Sequence, residues 1–180
     1  TLVRSGIFRE LALKAENIYL NLSENPKFKP EIQSADERFI SRLESEFPAH
    51  DFERLAPILK KLRMTKESEE IKLMQQACDI TEKAFYRILK FVKPGVTEYQ
   101  VEAEITHEFL WNSASGHAHH PIIASGKNAC ILHYSQNNSE CKDGDLLLMD
   151  FGAEYANYAA DCSRTIPVNG KFTPRQRECY

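Results

Sequence analysis

Residues 146–165 read LLLMDFGAEYANYAADCSRT, and the fold turns on how this stretch pairs with itself. Leu146 to Met149 is a continuous apolar run, as expected for a strand covered on both faces. Asp143-Gly144 just before it is a turn signal, and Tyr155 to Thr165 reads as the returning strand. A hairpin centred between Tyr155 and Ala156 sets Asp150 directly opposite Asp161, 11 residues later. Opposite residues of an antiparallel pair share one face, with Cβ atoms about 5 Å apart. Two carboxylates at that distance repel by about 3 kcal/mol at an effective dielectric near 20. Burial would add a desolvation cost. Such a pair persists by sharing a proton, by binding a basic side chain, or by binding cations, and hard divalent ions favour clustered carboxylates. The competing structural reading has one Asp in solvent, or Arg164 paired with one of them. Two carboxylates are too few for a closed metal site, so further ligands must come from elsewhere.

On the N-terminal side of this hairpin, Pro121–Ser125 and Ala129–His133 read as short extended runs with Gly126 turning between them. His133, between Leu132 and Tyr134, could reach the face that carries the aspartates, where an imidazole can pass a proton near neutral pH. Considered by itself it reads as a hydrogen-bonded structural residue. His117, His119 and His120 form a rival cluster, but their spacing fits no usual zinc pattern. They read as the mouth of a pocket or as a loop. On the C-terminal side, Pro167, Asn169 and Gly170 close the strand, and Thr173-Pro174 opens a helix.

Earlier in the chain the pattern is helical. Ile71, Met74, Cys78, Thr81, Phe85, Ile88 and Val92 recur at steps of three and four, which marks the core face of a long helix starting near Thr65. Lys93-Pro94-Gly95 breaks it. Thr97 with Gln100 reads as a capping box for a helix that buries Val101, Ile105 and Phe109. Before Thr65, Asn17–Leu22 alternates like a strand and Asn25–Pro30 reads as a loop. Ser34 with Glu37 caps a helix running to about Glu46, which Pro48 stops. Asp51 is expected to cap a further helix ending near Arg63. The expected organisation is therefore α/β (α+β), with residues 1–62 as the end of one domain and 63–180 as part of another. No internal repeat or low-complexity segment interrupts them.

Composition bounds the function classes. A content of 42% hydrophobic and 27% charged residues is ordinary for a globular protein. The formal net charge of -3 gives no electrostatic reason to expect nucleic acid as a partner. No apolar run approaches the length that spans a bilayer, so no membrane partner is expected. The start, Thr-Leu-Val-Arg-Ser-Gly, has neither the regions of a signal peptide nor an initiator Met, so the chain is read as beginning inside a longer product. The five cysteines, an odd number without a C-x-x-C, read as reduced thiols in a cytoplasmic protein. Cys162, beside Asp161, reads as a packing residue rather than a ligand.

Four blocks then carry a family resemblance: Ala124–Tyr134 (ASGKNACILHY), Asp143–Gly152 (DGDLLLMDFG), Tyr158–Thr165 (YAADCSRT) and Asn169–Thr173 (NGKFT). In this order and at these gaps they resemble aminopeptidase P and its relative prolidase, members of the pita-bread metallopeptidases together with methionine aminopeptidase and creatinase. Residues 1–62 more loosely resemble the end of a creatinase-type N-terminal domain, and 63–180 the first half of the catalytic domain. The resemblance implies an enzyme that releases the N-terminal residue from peptides with proline second, through a hydroxide bridging two divalent ions, commonly Mn2+. It implies that Asp150 binds one ion through both oxygens, that Asp161 bridges the two, and that His133 contacts substrate or passes a proton. The family's remaining ligands, one His and two Glu, are expected beyond Tyr180, so residues 1–180 alone are expected to bind metal weakly and to show no turnover. Ala160 stands where the family often has Gly. The resemblance also implies a proline-containing peptide as partner and a homo-oligomer at full length. Prolidase, a strict dipeptidase, and a non-catalytic pita-bread binding protein are the alternatives. Loss of metal ligands is usual in the latter, and retention of Asp150 and Asp161 argues against it.

Overall fold

The computed structural model describes residues 6–21 and 32–180. The loop expected at Asn25–Pro30 and the last residue of the strand expected at Asn17–Leu22 lie outside the described residues. The chain divides into two compact units, Thr1–Lys66 and Glu67–Tyr180.

In the first unit the helices α1 (Gly6–Lys14), α2 (Ala35–Glu46) and α3 (Ala56–Met64) accompany two parallel strands, β1 (Asn17–Leu20) and β2 (Asp51–Arg54). Helix α2 starts where the capping box places it. The Ser34 hydroxyl accepts from the Glu37 N–H at 3.2 Å, and the Glu37 carboxylate accepts from the Ser34 N–H at 2.6 Å. Ile40, Leu43 and Phe47 then bury against Leu20 and Ala12. Asp51 is not a helix cap. It begins β2, because Phe52 lies beside Ile18 in the ladder and packs on this core, and α3 starts only after Leu55 with Pro57 in its first turn.

The second unit is built on α4 (Ser68–Phe91) and α5 (Glu98–Trp111). Helix α4 buries Ala77, Ile80, Thr81, Ala84 and Ile88. The buried stripe is therefore rotated from the one read off the large apolar residues, and Ile71 and Cys78 are exposed. The reason is size: alanines at 77 and 84 allow close approach, so the face that packs is the one with small side chains. Thr81 is part of that face because its hydroxyl donates to the Ala77 carbonyl at 2.9 Å and accepts from the Ala153 N–H at 3.0 Å. Val101, Ile105 and Phe109 of α5 are fully buried, as their spacing requires. Of the Thr97–Gln100 capping box, the Gln100 arm forms, accepting from the Thr97 N–H at 2.9 Å, while the Thr97 hydroxyl has no partner.

Two three-stranded antiparallel sheets complete this unit. One has the order β4 (Ile122–Ser125), β5 (Leu146–Phe151), β8 (Cys162–Pro167), and the other β3 (Gly116–His117), β6 (Ala153–Tyr155), β7 (Tyr158–Ala159). Leu147, Met149 and Phe151 are fully buried against Ile80, Ile105 and Phe109, each contributing about 1.5–3 kcal/mol. Leu146, Leu148 and Asp150 are only half-buried. The apolar run is thus covered on one face among the described residues, which corrects the expectation of a strand enclosed on both. Helix α6 (Pro174–Cys179) opens with a capping box between Thr173 and Gln176.

Candidate metal centre

The chain leaves β5 at Gly152, turns at Ala156-Asn157 and returns into β8. Tyr155 pairs with Tyr158, and both turn residues have positive φ, 50° at Ala156 and 68° at Asn157. That is the primed two-residue turn whose twist suits a hairpin. The centre therefore lies one position beyond the expected one, and the register moves by two. Asp150 pairs with Ser163, whose hydroxyl donates to Asp150 Oδ1 at 2.9 Å, and Phe151 pairs with Cys162. The expected direct opposition of Asp150 and Asp161 is thus overturned. Carried through the gap, the register sets Asp161 across from Gly152. A shift of two preserves side-chain parity, so the two aspartates still share a face, now as diagonal neighbours.

Gly152 is required at that point. A Cβ there would sit 1.8 Å from the Ala160 carbonyl oxygen and 3.0 Å from the Asp161 nitrogen. The Gly152 carbonyl accepts from the Ala118 N–H at 2.8 Å, which ties the segment that carries His119 to the same crossing. His119, His120, Ile122, His133, Asp150 and Asp161 line one pocket of about 480 Å³. One ligand atom each from His119, Asp150 and Asp161 lies within 4.8 Å of the others, and His119 Nε2 is 3.6 Å from Asp161 Oδ1. The Asp161 side chain is 79% exposed, so solvent screens the carboxylate repulsion more than burial of both would allow. Arg164 donates to the Ser163 carbonyl at 2.8 Å, and no described ion pair joins it to either aspartate.

The donor set suits a divalent ion: two carboxylates, one imidazole, and a His119 Nε2 that is shielded from solvent and lacks a hydrogen-bond partner. His117 does not belong to the set. Its Nε2 lies 2.8 Å from the Thr106 hydroxyl, its ring meets the Phe109 ring at 5.0 Å, and burial, ahead of the opposing pull of Glu102, holds its imidazole below the usual histidine range.

His133 is exposed and has φ 51°. The extended run expected at Ala129–His133 is absent: a 3-10 helix occupies Gly126–Cys130, with Gly126 at φ 53°. What orders this region is Glu98, fully buried at the start of α5. Its Oε1 accepts from the Ser125 N–H at 2.8 Å, the Ser125 hydroxyl at 2.8 Å and Asn128 Nδ2 at 3.0 Å. Its Oε2 accepts from the Tyr134 hydroxyl at 2.8 Å and the Ser139 N–H at 3.0 Å. The backbone is thereby held immediately beside His133 and on both sides of it. Burial alone would raise this carboxyl, yet the donors from Asn128, Ser125, Ser139 and Tyr134 together hold it below the usual carboxylate range. The sequence reading missed Glu98, Ser163 and the inward aim of His119. Only Ser163 had a local signal, since Asn157 favours positive φ and would have centred the turn correctly.

A model of metallopeptidase family M24 matches residues 72–180. The Xaa-Pro aminopeptidase of Escherichia coli strain K12 is 47% identical over 124 residues, covering 69% of this chain and 28% of that protein. That of Haemophilus influenzae is 46% identical over 124 residues, covering 69% and 29%. Among solved structures, proline aminopeptidase P II from Yersinia pestis superposes with a TM-score of 0.79 at 37% identity, covering 95% of this chain and 40% of that one. An E. coli aminopeptidase P variant in complex with substrate gives 0.79 at 36%, covering 96% and 40%. The chain thus spans under a third of these curated relatives, and its mixed α/β architecture is that of the pita-bread aminopeptidase P structures. The matched span takes in both aspartates, the pocket around them and more than half of the residues, and the chain belongs to metallopeptidase family M24.

Proposed function

We propose that the protein carrying this chain is a metal-dependent aminopeptidase that releases the N-terminal residue from peptides with proline at the second position. The observation that carries the reading is the convergence of Asp150, Asp161 and His119 within 4.8 Å at one end of a pocket that His133 also lines. Its kinship with Xaa-Pro aminopeptidases supports the substrate class. Asp150 and Asp161 would hold the metal. A divalent ion there supplies Lewis acidity and lowers the pKa of a water molecule. Ser163 keeps Asp150 oriented through its hydroxyl, and His133 orients the substrate carbonyl or moves a proton at its imidazole. The Glu98 anchor keeps that imidazole at the pocket wall by restraining Tyr134 and Ser139.

In this reading residues 1–62 end a creatinase-type N-terminal domain, and 63–180 form the first half of the catalytic domain. Two ions, preferentially Mn2+, are bound once a His and two Glu beyond Tyr180 complete the set, so the 180 residues alone give no turnover. A cytoplasmic location and a homo-oligomer complete the proposal. The former rests on the odd number of cysteines and the lack of a C-x-x-C in the sequence.

The test incubates the full-length protein with an Xaa-Pro-Yaa tripeptide and an Xaa-Pro dipeptide, before and after chelation. Release of Xaa from the tripeptide, lost on chelation and restored by Mn2+, is the expected result. Cleavage of the dipeptide alone would make the protein a dipeptidase. No cleavage of either by metal-loaded protein would overturn the reading.

A further inference from the structure

We infer that His119 is itself a ligand of the metal, bound through Nε2, so that this chain contributes three donors rather than two aspartates. The inference rests on the metal-centre reading above and adds to it a residue which the spacing of the histidines gave no reason to choose.

The first step is the tautomer. His119 Nδ1 lies 3.1 Å from the His120 carbonyl oxygen. A carbonyl only accepts, so Nδ1 carries the hydrogen and the neutral ring has its lone pair on Nε2. Fixing one imidazole nitrogen by a backbone carbonyl is how metal-binding histidines present the other.

The second step is what Nε2 faces. The side chain is 35% exposed, but Nε2 is turned inward, shielded from solvent and without a hydrogen-bond partner. Asp161 Oδ1 is 3.6 Å away, too far for a hydrogen bond. Two lone-pair atoms therefore face one another, an arrangement that either a proton on Nε2 or a bound cation stabilises, and the neighbouring Asp150 carboxylate favours the cation. Ions bound at about 2.0–2.2 Å to nitrogen and oxygen separate two ligand atoms by at most about 4.2 Å, and the observed 3.6 Å falls inside that reach. The three ligand atoms all lie within 4.8 Å of one another, so only small side-chain movements separate them from the reach of a single ion.

The third step is placement. His119 follows Ala118, whose N–H donates to the Gly152 carbonyl, and Gly152 is the residue across from Asp161. The imidazole and the carboxylate are thus fixed to the same backbone crossing, which preorganises the pair.

The test is a titration of the metal-free protein with cobalt chloride, following the visible d–d bands, for the wild type, His119→Ala, His119→Cys, Asp150→Asn and Asp161→Asn. Circular dichroism of each variant checks the fold. The expected result is an affinity at least ten-fold lower in His119→Ala with an altered d–d spectrum. His119→Cys should regain affinity and show a sulfur-to-cobalt charge-transfer band, which a residue that merely packs would not produce. If His119→Ala keeps wild-type affinity and spectrum while the two aspartate variants lose binding, His119 is not a ligand and the metal centre stands. If the aspartate variants also bind as the wild type does, or the wild type binds no cobalt, the metal-centre reading fails and the inference with it.

Discussion

Replacing Glu98 by Gln tests the anchor beneath the His133 loop. The carboxylate is fully buried and accepts five hydrogen bonds, three at Oε1 and two at Oε2. Gln keeps one oxygen, which can go on serving Ser125 and Asn128, but sets an NH2 against the Tyr134 hydroxyl and the Ser139 N–H. The Tyr134 hydroxyl can rotate and accept. The Ser139 amide cannot, and a donor left unpaired in a buried setting costs about 1–3 kcal/mol. The other bonds lose their charge assistance, since bonds to ionised groups are worth about 1.5–3 kcal/mol against about 1 for neutral ones. The sum is about 4 kcal/mol, a large part of the about 5–15 kcal/mol that holds a domain together. Urea unfolding at pH 7 measures the loss, and amide hydrogen exchange at Ser125 and Ser139 localises it. A Gln variant within about 1 kcal/mol of wild type, with unchanged exchange at both amides, would refute the reasoning. The pH dependence has a definite sign. Because the folded pKa is held below the ordinary glutamate value of 4.5, the folded state binds fewer protons than the unfolded state in that range. The Glu98 contribution is therefore complete above that pH and is lost as pH falls through the folded pKa. Wild type should lose stability on acidification more steeply than Glu98→Gln, and parallel profiles would contradict the assignment.

Gly152→Ala would drive a Cβ to 1.8 Å from the Ala160 carbonyl, backbone against side chain with no flexible neighbour to yield. A loss of about 3 kcal/mol or more is expected in urea unfolding, together with weakened cobalt binding as Asp161 is pushed away. Cysteine labelling should be selective. Burial, with the Glu98 charge adding to it, pushes the Cys141 thiol up to about 11, so at pH 8 a thiol reagent should modify the exposed Cys78, Cys130 and Cys179 and reach Cys141 only on unfolding. Labelling of Cys141 in the native protein at the rate of Cys78 would show that its core is open.

What the sequence determined by itself is what short-range chemistry determines. Serine or threonine three residues ahead of glutamate or glutamine marked the starts of α2 and α5, and Thr173-Pro174 marked that of α6, because a helix start is made by groups within one turn. The spacing of Val101, Ile105 and Phe109 marked the buried face of α5, and the apolar run ending in Asp150 marked β5. Blocks 124–134, 143–152, 158–165 and 169–173 identified the family before any contact was seen. Tertiary structure decided the rest, because it depends on which distant backbones approach. Alanines at 77 and 84 became the packing face of α4 only because other elements lie close to them. Ala156 hid the turn centre, so the register that sets Asp150 beside Ser163 and Asp161 across from Gly152 followed from a carbonyl's approach to a glycine. Glu98 reaches donors 27 to 41 residues away, and His119 turns Nε2 toward Asp161 across a crossing between sheets. Periodicity carries no record of such convergence, since side chains that meet through space need no regular separation along the chain.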